Sequence, residues 1–158
     1  MANTLFLVIE GRNGPSKRMT NAIEISSFSF GANNSSRIGK STESREGGGN
    51  VSDVQVTKDL DKTSPLLFDD CVTGDLYTKV EIIKSKQEGN ALVDFFKILM
   101  EGKVLVTSWS ISGAAEGQPM ESVTFAFEKV KVCYNAEEEG AEKGYLEKGF
   151  HVLESKAY

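Results

Sequence analysis

The sequence has little of what enzyme active sites and metal centres are usually built from. Its 158 residues include one histidine, one tryptophan and two cysteines. Nucleophilic catalysis needs a base beside the nucleophile, and a metal site needs several ligands close together. The histidine, His151, lies in the C-terminal tail, and the favoured interpretation is that its side chain is solvated on the surface. A catalytic Cys-His pair with Cys71 or Cys133 stays open. We therefore expect no enzyme, no cofactor and no metal site.

The two cysteines are far apart in the sequence. Cys133 falls in a strand pattern and Cys71 on a predicted helix. Free cysteine behaves as a small apolar side chain and is often buried. Buried, reduced thiols are therefore favoured over a disulfide.

Clusters of basic residues and long apolar runs are also lacking. Eighteen Lys and Arg stand against 23 Asp and Glu, giving a net charge of −5, whereas nucleic-acid binding needs clustered basic side chains. The apolar run Leu5 to Ile9 is too short for a signal peptide, and no later run is long enough to span a membrane. We expect that the protein neither binds nucleic acid nor inserts into a membrane. We also expect that it is synthesised in the cytoplasm and that any export follows a leaderless route.

Apolar residues alternate with polar ones along most of the chain, which predicts a single, mainly β domain over 1–158. The alternation changes phase near Ser26-Ser27 and again after Phe127, which predicts bent strands. On the first strand, Leu5, Leu7 and Ile9 share one face. Further strands are predicted at Val51 to Lys58, Tyr77 to Lys84, Leu92 to Met100, and Lys103 to Ile111.

Several strands carry apolar residues on both faces, as where Val93 and Phe95 oppose Leu92 and Phe96. Strands of this kind are usually covered on both sides. Because the sequence predicts little helix, we expect a second copy of the chain to cover the outer face.

One short helix is predicted from Thr63-Ser64-Pro65 onward. Ser64 is a suitable N-cap, Pro65 suits the first helical position, and Gly74 can end the helix. Asp69 and Asp70 are explained adequately as solvated residues on its surface.

The segment 35–50 contains Gly39-Lys40-Ser41, the end of a phosphate-binding loop motif. That motif also needs a glycine where this chain has Asn34, and a helix starting at the lysine. The glycine run Gly47 to Gly49 interrupts the following residues instead. The sequence therefore favours a long polar loop, and such loops are often functional. The acidic segment 135–158 is predicted to be a C-terminal arm or an edge hairpin.

The run VSDVQVTKDLDKTSPLLFDDCVTG, Val51 to Gly74, resembles the hemolysin-coregulated protein (Hcp) family, the inner-tube subunits of bacterial type VI secretion systems. IEISSFSFG, KVLVTSWSISG and EGQPMESVTFAFEKVKVCY are similar to further strands of that family. Phe30 stands where the family often has Trp, and SKQEGNALVDFFKILMEG matches only in pattern. The residues that fit the family's strand, turn and helix are Thr57, Lys58, Asp61, Lys62, Ser64, Pro65, Cys71 and Gly74.

The resemblance implies a two-sheet antiparallel β-barrel with one short flanking α-helix, assembling into a hexameric ring. Stacked rings would form a secreted tube that carries or chaperones effector proteins in its lumen. The implied partners are further copies of the chain, the tip spike protein, the contractile sheath and effectors. The protein would be cytoplasmic until assembly, and then secreted to the extracellular space or a target cell.

The resemblance also implies roles for two sets of residues. Ser27 and Ser29 would line the lumen and contact effectors, the alternative being ordinary solvent-facing serines. The 35–50 loop would lie at the stacking face of the ring, with the glycines as a hinge; a merely solvated loop is the alternative. The stacking residues would be Arg37, Lys40, Glu43, Arg45, Glu46, Gly47, Gly48 and Gly49.

Two other functions are weighed against the tube. A monomeric β-sandwich or barrel that binds a carbohydrate or small ligand would need convergent aromatic residues, and clusters of that kind are not apparent in the sequence. An enzyme on the same fold would need a catalytic triad, and none is visible.

Overall fold

The computed structural model describes residues 4–35, 49–135, 145–152 and 156–157. These residues form one helix and antiparallel strands, so the mainly β prediction is confirmed. The elements are β1 (Leu5–Ile9), β2 (Ile23–Glu24), β3 (Ser27–Ser29), β4 (Ala32–Asn34), β5 (Gly49–Val51), β6 (Val54–Asp59), α1 (Ser64–Thr73), β7 (Leu76–Glu88), β8 (Ala91–Ser112), β9 (Met120–Asn135), β10 (Tyr145–His151) and β11 (Lys156–Ala157).

The main sheet has the strand order β11-β10-β9-β8-β7-β1-β2, and β6 pairs with the first half of β9 and with β3. The chain turns a corner between β2 and β3. There the amide of Ile25 donates to the Leu5 carbonyl at 3.1 Å, while the amide of Ser26 donates to the Thr57 carbonyl at 2.8 Å. The predicted bend near Ser26-Ser27 is thus confirmed, and it joins the two sides of the sheet into a barrel.

The prediction of separate strands at Leu92 to Met100 and Lys103 to Ile111 is wrong, because β8 runs through both segments. Gly102 has a φ of 85°, a conformation that favours glycine, and the pairing of β8 with β9 shifts register between Glu101 and Val104. The strand therefore bends without ending.

The predicted strand Val51 to Lys58 is divided between β5 and β6.

The core lies between the inner faces of the strands. Leu5, Leu7 and Ile9 are all buried, as their alternation predicts. Phe6, on the opposite face of β1, is also fully buried, and its cross-strand partner Ile83 is 6% exposed. The chain itself therefore covers both faces of β1. For the strand that begins at Leu92, coverage of the outer face by a second copy stays a prediction.

Helix α1 is present, but its N-cap is Thr63 rather than the predicted Ser64. Ser64 is the first helical residue and is buried, and its hydroxyl accepts a hydrogen bond from the Asp61 amide at 3.1 Å. Gly74 ends the helix as predicted, with a φ of 75° and its amide donating to the Asp70 carbonyl. Leu67 packs into the core.

The C-terminal segment contributes an edge hairpin, which was one of the two predicted forms. Strand β10 pairs along the second half of β9, from Tyr145 opposite Asn135 to His151 opposite Lys129, and β11 pairs with the end of β10. Within the described ranges, no helix combines the length and apolar character needed to cross a membrane.

Candidate assembly surfaces

A two-stranded ribbon formed by β4 and β5 flanks the predicted stacking loop in the sequence. Asn34 pairs with Gly49 at the outer end of this ribbon, so Gly49 belongs to the base of the loop. At the inner end, the Gly31 amide donates to the Ser52 hydroxyl at 2.9 Å, and the Ser52 amide donates back to the Gly31 carbonyl at 2.8 Å. The ribbon thus fixes where the loop starts and ends. The other predicted stacking residues, Arg37, Lys40, Glu43, Arg45, Glu46, Gly47 and Gly48, lie outside the described residues, as does the Gly39-Lys40-Ser41 motif.

Ser27 and Ser29 are exposed on β3, while Phe28 and Phe30 are half-buried against the core. Phe28 stacks with Phe96 at a ring-centroid distance of 6.0 Å, and Phe30 meets Phe127 edge-on at 6.1 Å. The predicted alternation is confirmed. It turns both serine hydroxyls to the face of β3 that lies opposite the core.

Cross-strand pairing extends the two serines into a wider surface of small, uncharged polar side chains. The Ser27 hydroxyl is hydrogen-bonded to that of Thr57, and Gln55 Nε2 donates to the Ser122 hydroxyl at 2.7 Å. Sequence reasoning found only the serines of β3, although the alternating polar residues in SWSIS and ESVTF carried the same signal. We call this surface the polar face; its residues are Ser27, Ser29, Gln55, Thr57, Ser108, Ser110, Ser122 and Thr124.

A buried ion cluster holds β6, β9 and the start of α1 together. The ammonium of Lys58 lies 2.8 Å from Glu121 Oε1 and 3.1 Å from Asp61 Oδ1, and it donates to the Ser64 hydroxyl at 3.1 Å. Lys58 and Glu121 are fully buried. Glu121 is paired with Lys58 by charge, while neither of its carboxylate oxygens has a hydrogen bond of regular geometry. A buried charge is tolerated only when it has a partner of opposite charge or several hydrogen bonds. The Lys, Asp and Ser positions of the family pattern are thus structural. Glu121 was not identified from the sequence, because it lies far from Lys58 in the sequence and is brought opposite Lys58 only by the pairing of β6 with β9.

A second polar network joins the segment after β1 to the helix. The guanidinium of Arg12 donates to Asp70 through Nε at 2.8 Å and Nη2 at 2.7 Å, and the Tyr77 hydroxyl also donates to Asp70. The prediction of a solvated Asp70 is wrong, since its side chain is fully buried. Asp69 is exposed as predicted.

These contacts set the protonation states of the network. The hydrogen bonds from Arg12 lower the pKa of Asp70, with a smaller contribution from Tyr77. The same hydrogen bond raises the pKa of Arg12, while burial, followed by the hydrogen bond to Asp70, raises the pKa of Tyr77. A charged carboxylate between a cation and a neutral phenol is therefore the stable arrangement.

The remaining candidate residues are placed as follows. Both cysteines are free thiols, as expected; Cys133 is buried and Cys71 is only half-buried. Burial raises the pKa of Cys133, which favours an unreactive thiol. His151 is half-buried rather than freely solvated, with Nε2 3.6 Å from Glu128 Oε1.

Comparison with known proteins identifies the family. The family model described as "Type VI secretion system effector, Hcp" matches residues 6–134. Protein hcp1 of Pseudomonas aeruginosa is 34% identical over 97 residues, a match that covers 60% of this chain and only 59% of that relative.

Two solved structures have the same fold. A structure described as a type six secretion system protein has a TM-score of 0.85 at 24% identity, covering 99% of this chain and 100% of the other. Hcp1 from Salmonella typhimurium has a TM-score of 0.78 at 23% identity, covering both chains completely. The match to the family model spans most of this chain, so the protein belongs to the Hcp family of type VI secretion system proteins.

Proposed function

We propose that this chain is a structural subunit of a type VI secretion tube. Six copies close into a ring, rings stack into a tube, and the lumen of the tube carries or chaperones effector proteins. The further partners are the tip spike and the contractile sheath. The subunit is cytoplasmic until assembly and then leaves the cell with the tube, and it has no enzymatic activity.

The polar face carries this proposal. Four neighbouring strands (β3, β6, β9 and β8) present Ser, Thr and Gln side chains on one surface, next to an apolar core on the other. Short hydroxyl side chains bind many partners weakly, since each offers a donor and an acceptor but little apolar area. A lumen that must hold different effectors and release them suits this composition. Ser27 and Ser29 are the effector-contact residues at its edge.

The ribbon β4–β5 supports the stacking role of the 35–50 loop. It separates the two ends of the loop from the main sheet and fixes them by pairing Asn34 with Gly49. In this proposal the charged residues Arg37, Lys40, Glu43, Arg45 and Glu46 pair with a neighbouring ring, while Gly47 and Gly48 give the loop the freedom to reach it.

The arrangement of aromatic side chains favours the tube over a monomeric ligand-binding protein. Phe28, Phe30 and Trp109 are packed against the core cluster. Carbohydrate and small-ligand pockets instead direct such rings into an open cleft.

Size-exclusion chromatography with light scattering tests the ring directly. We expect a species near six times the 17.2 kDa chain mass. A ring persists on dilution into the low micromolar range if its interfaces have ordinary size, about 800 Å² per partner. A protein that stays at 17.2 kDa at all concentrations would contradict the proposal.

A further inference from the structure

One end of the β8–β9 ladder carries an exposed apolar surface, which we call the helix patch: Phe68, Val72 and Ile111. Phe68 packs on Trp109 at a ring-centroid distance of 5.1 Å, yet it remains 49% exposed. Val72 is 70% exposed and Ile111 is 42% exposed. Contiguous apolar residues on a soluble protein usually mark an interaction site.

A second apolar surface, the tail patch, consists of Val132, Tyr134 and Leu146. These residues are 37%, 51% and 66% exposed. Tyr134 lies opposite Leu146 in the β9–β10 pairing, and Val132 lies opposite Lys148, so all four side chains point to the same face. Lys148 adds a positive charge to the edge of this patch.

The two patches lie at opposite ends of one strand pair. Val132 is paired with Ile98 of β8, whereas the helix patch includes Ile111 of the same strand. At the usual rise per residue the strand separates them by about 40 Å along its path. The two patches therefore consist of different residues at different places along the strand pair. Two distinct patches allow a head-to-tail contact, whereas a single patch that meets itself gives a closed dimer.

The charges at the two patches are complementary. Helix α1 contains no Lys or Arg, and Asp69 is exposed beside Val72. Lys148 is exposed beside Val132 in the tail patch. Opposite charges at the rim of an interface set its register and discriminate against wrong partners.

We infer that the helix patch of one copy packs against the tail patch of the next copy, so that this single heterologous contact, repeated, closes the ring. The inference rests on the proposed ring and assigns its interface. The partner is a second copy of this chain because one chain carries both a helix patch with a negative rim and a tail patch with a positive one.

A mixing experiment tests the pairing. Val72→Arg blocks the helix patch, and Leu146→Arg blocks the tail patch. We expect each variant alone to be monomeric, with the subunit dissociation constant raised at least about tenfold. In an equimolar mixture the intact tail patch of one variant meets the intact helix patch of the other. Light scattering should then detect a two-copy species that grows no further, since the two remaining ends carry like charges. Lys103→Glu, exposed between the patches on β8, is the control and should leave the ring intact.

The outcomes separate this inference from the proposed function. Six-copy species from both arginine variants would overturn the patch assignment while the ring itself stands. A mixture that stays monomeric would overturn the heterologous pairing. A wild-type protein that is monomeric at all concentrations would overturn both the ring and the pairing.

Charge exchange provides a second test that does not place a charge in an apolar contact. Asp69→Lys and Lys148→Asp should each weaken the ring, and the double variant should regain wild-type assembly. An unchanged ring in both single variants would contradict the charge complementarity. Circular dichroism melts of every variant check that the fold is kept.

Discussion

Arg12 and Asp70 are separated by 58 positions in the chain and are joined by two hydrogen bonds between the guanidinium and the carboxylate, of 2.8 and 2.7 Å. The carboxylate is fully buried, while the arginine side chain is 30% exposed. The pair therefore holds the segment that follows β1 against the last turn of α1. Phe68 and Val72 of the helix patch lie in the same part of the helix.

Arg12→Gln should lower the free energy of unfolding by about 2–3 kcal/mol, because it leaves the Asp70 carboxylate buried without its cation. Urea denaturation monitored by fluorescence or circular dichroism measures this change. Lys17→Gln is the matched control: Lys17 lies in the same segment and is exposed, so its loss should cost less than about 0.5 kcal/mol. Equal effects of the two variants would contradict a special role for the Arg12–Asp70 pair.

The stability that Asp70 contributes should disappear in acid. Arg12 lowers the pKa of Asp70 in the folded protein, so the unfolded chain binds the proton more readily. The contribution is complete above the unfolded pKa of about 3.9, and it is lost as the pH falls through the lowered folded value. The difference in unfolding free energy between wild type and Asp70→Asn should therefore shrink as the pH is lowered from about 6 towards 2. A difference that is constant over this range would contradict the assignment.

Lys58→Met should destabilise the protein by about 3–5 kcal/mol, because Glu121 would be left buried as an uncompensated charge. Adding Glu121→Leu should recover most of that loss, since replacing a whole buried ion pair by apolar residues is often nearly neutral. A double-mutant cycle of urea unfolding curves measures the coupling. Additive costs of the two substitutions would show that the 2.8 Å contact between Lys58 and Glu121 contributes no coupling.

The sequence predicted what depends on neighbouring residues and missed what depends on distant ones. The alternation at Leu5, Leu7 and Ile9, the bend at Ser26 and the stop at Gly74 follow from local patterns, and the structure has all three. The burial of Asp70 depends on an arginine 58 positions away. No local pattern contains that information, so a helix-surface aspartate was the natural but wrong reading.

The continuity of β8 was missed for a related reason. A glycine such as Gly102 normally signals a turn, so the sequence around it predicts a break between two strands. In the structure the glycine sits in a bulge, where pairing with β9 on one side and β7 on the other keeps the strand continuous. Only part of the polar face was predicted, because its residues come from four strands. The sequence alone does not show how these strands pair.

Ser29→Gln should reduce the retention and stabilisation of effector proteins by assembled rings. The substitution adds a longer side chain to the polar face at a position where Ser29 lies opposite Gln55. Because Ser29 is exposed, ring formation and thermal stability should be unchanged. Co-expression of the ring with an effector, followed by measurement of effector half-life and co-purification, tests this. Equal retention by the variant and the parent would remove Ser29 from the effector-contact surface.

Reversing the charges at Arg37 and Arg45 should abolish stacking while leaving rings intact. Each exposed ion pair contributes only about 0–1 kcal/mol. Because six copies of each pair act together between two rings, a small loss in each one adds up to a large loss in the free energy of stacking. The double variant Arg37→Glu, Arg45→Glu should give rings without tubes by negative-stain electron microscopy. Lys17→Glu with Lys103→Glu makes the same change in net charge outside the 35–50 loop and should still form tubes. Tubes of normal length from the arginine variant would show that the ribbon β4–β5 presents a loop with no part in stacking.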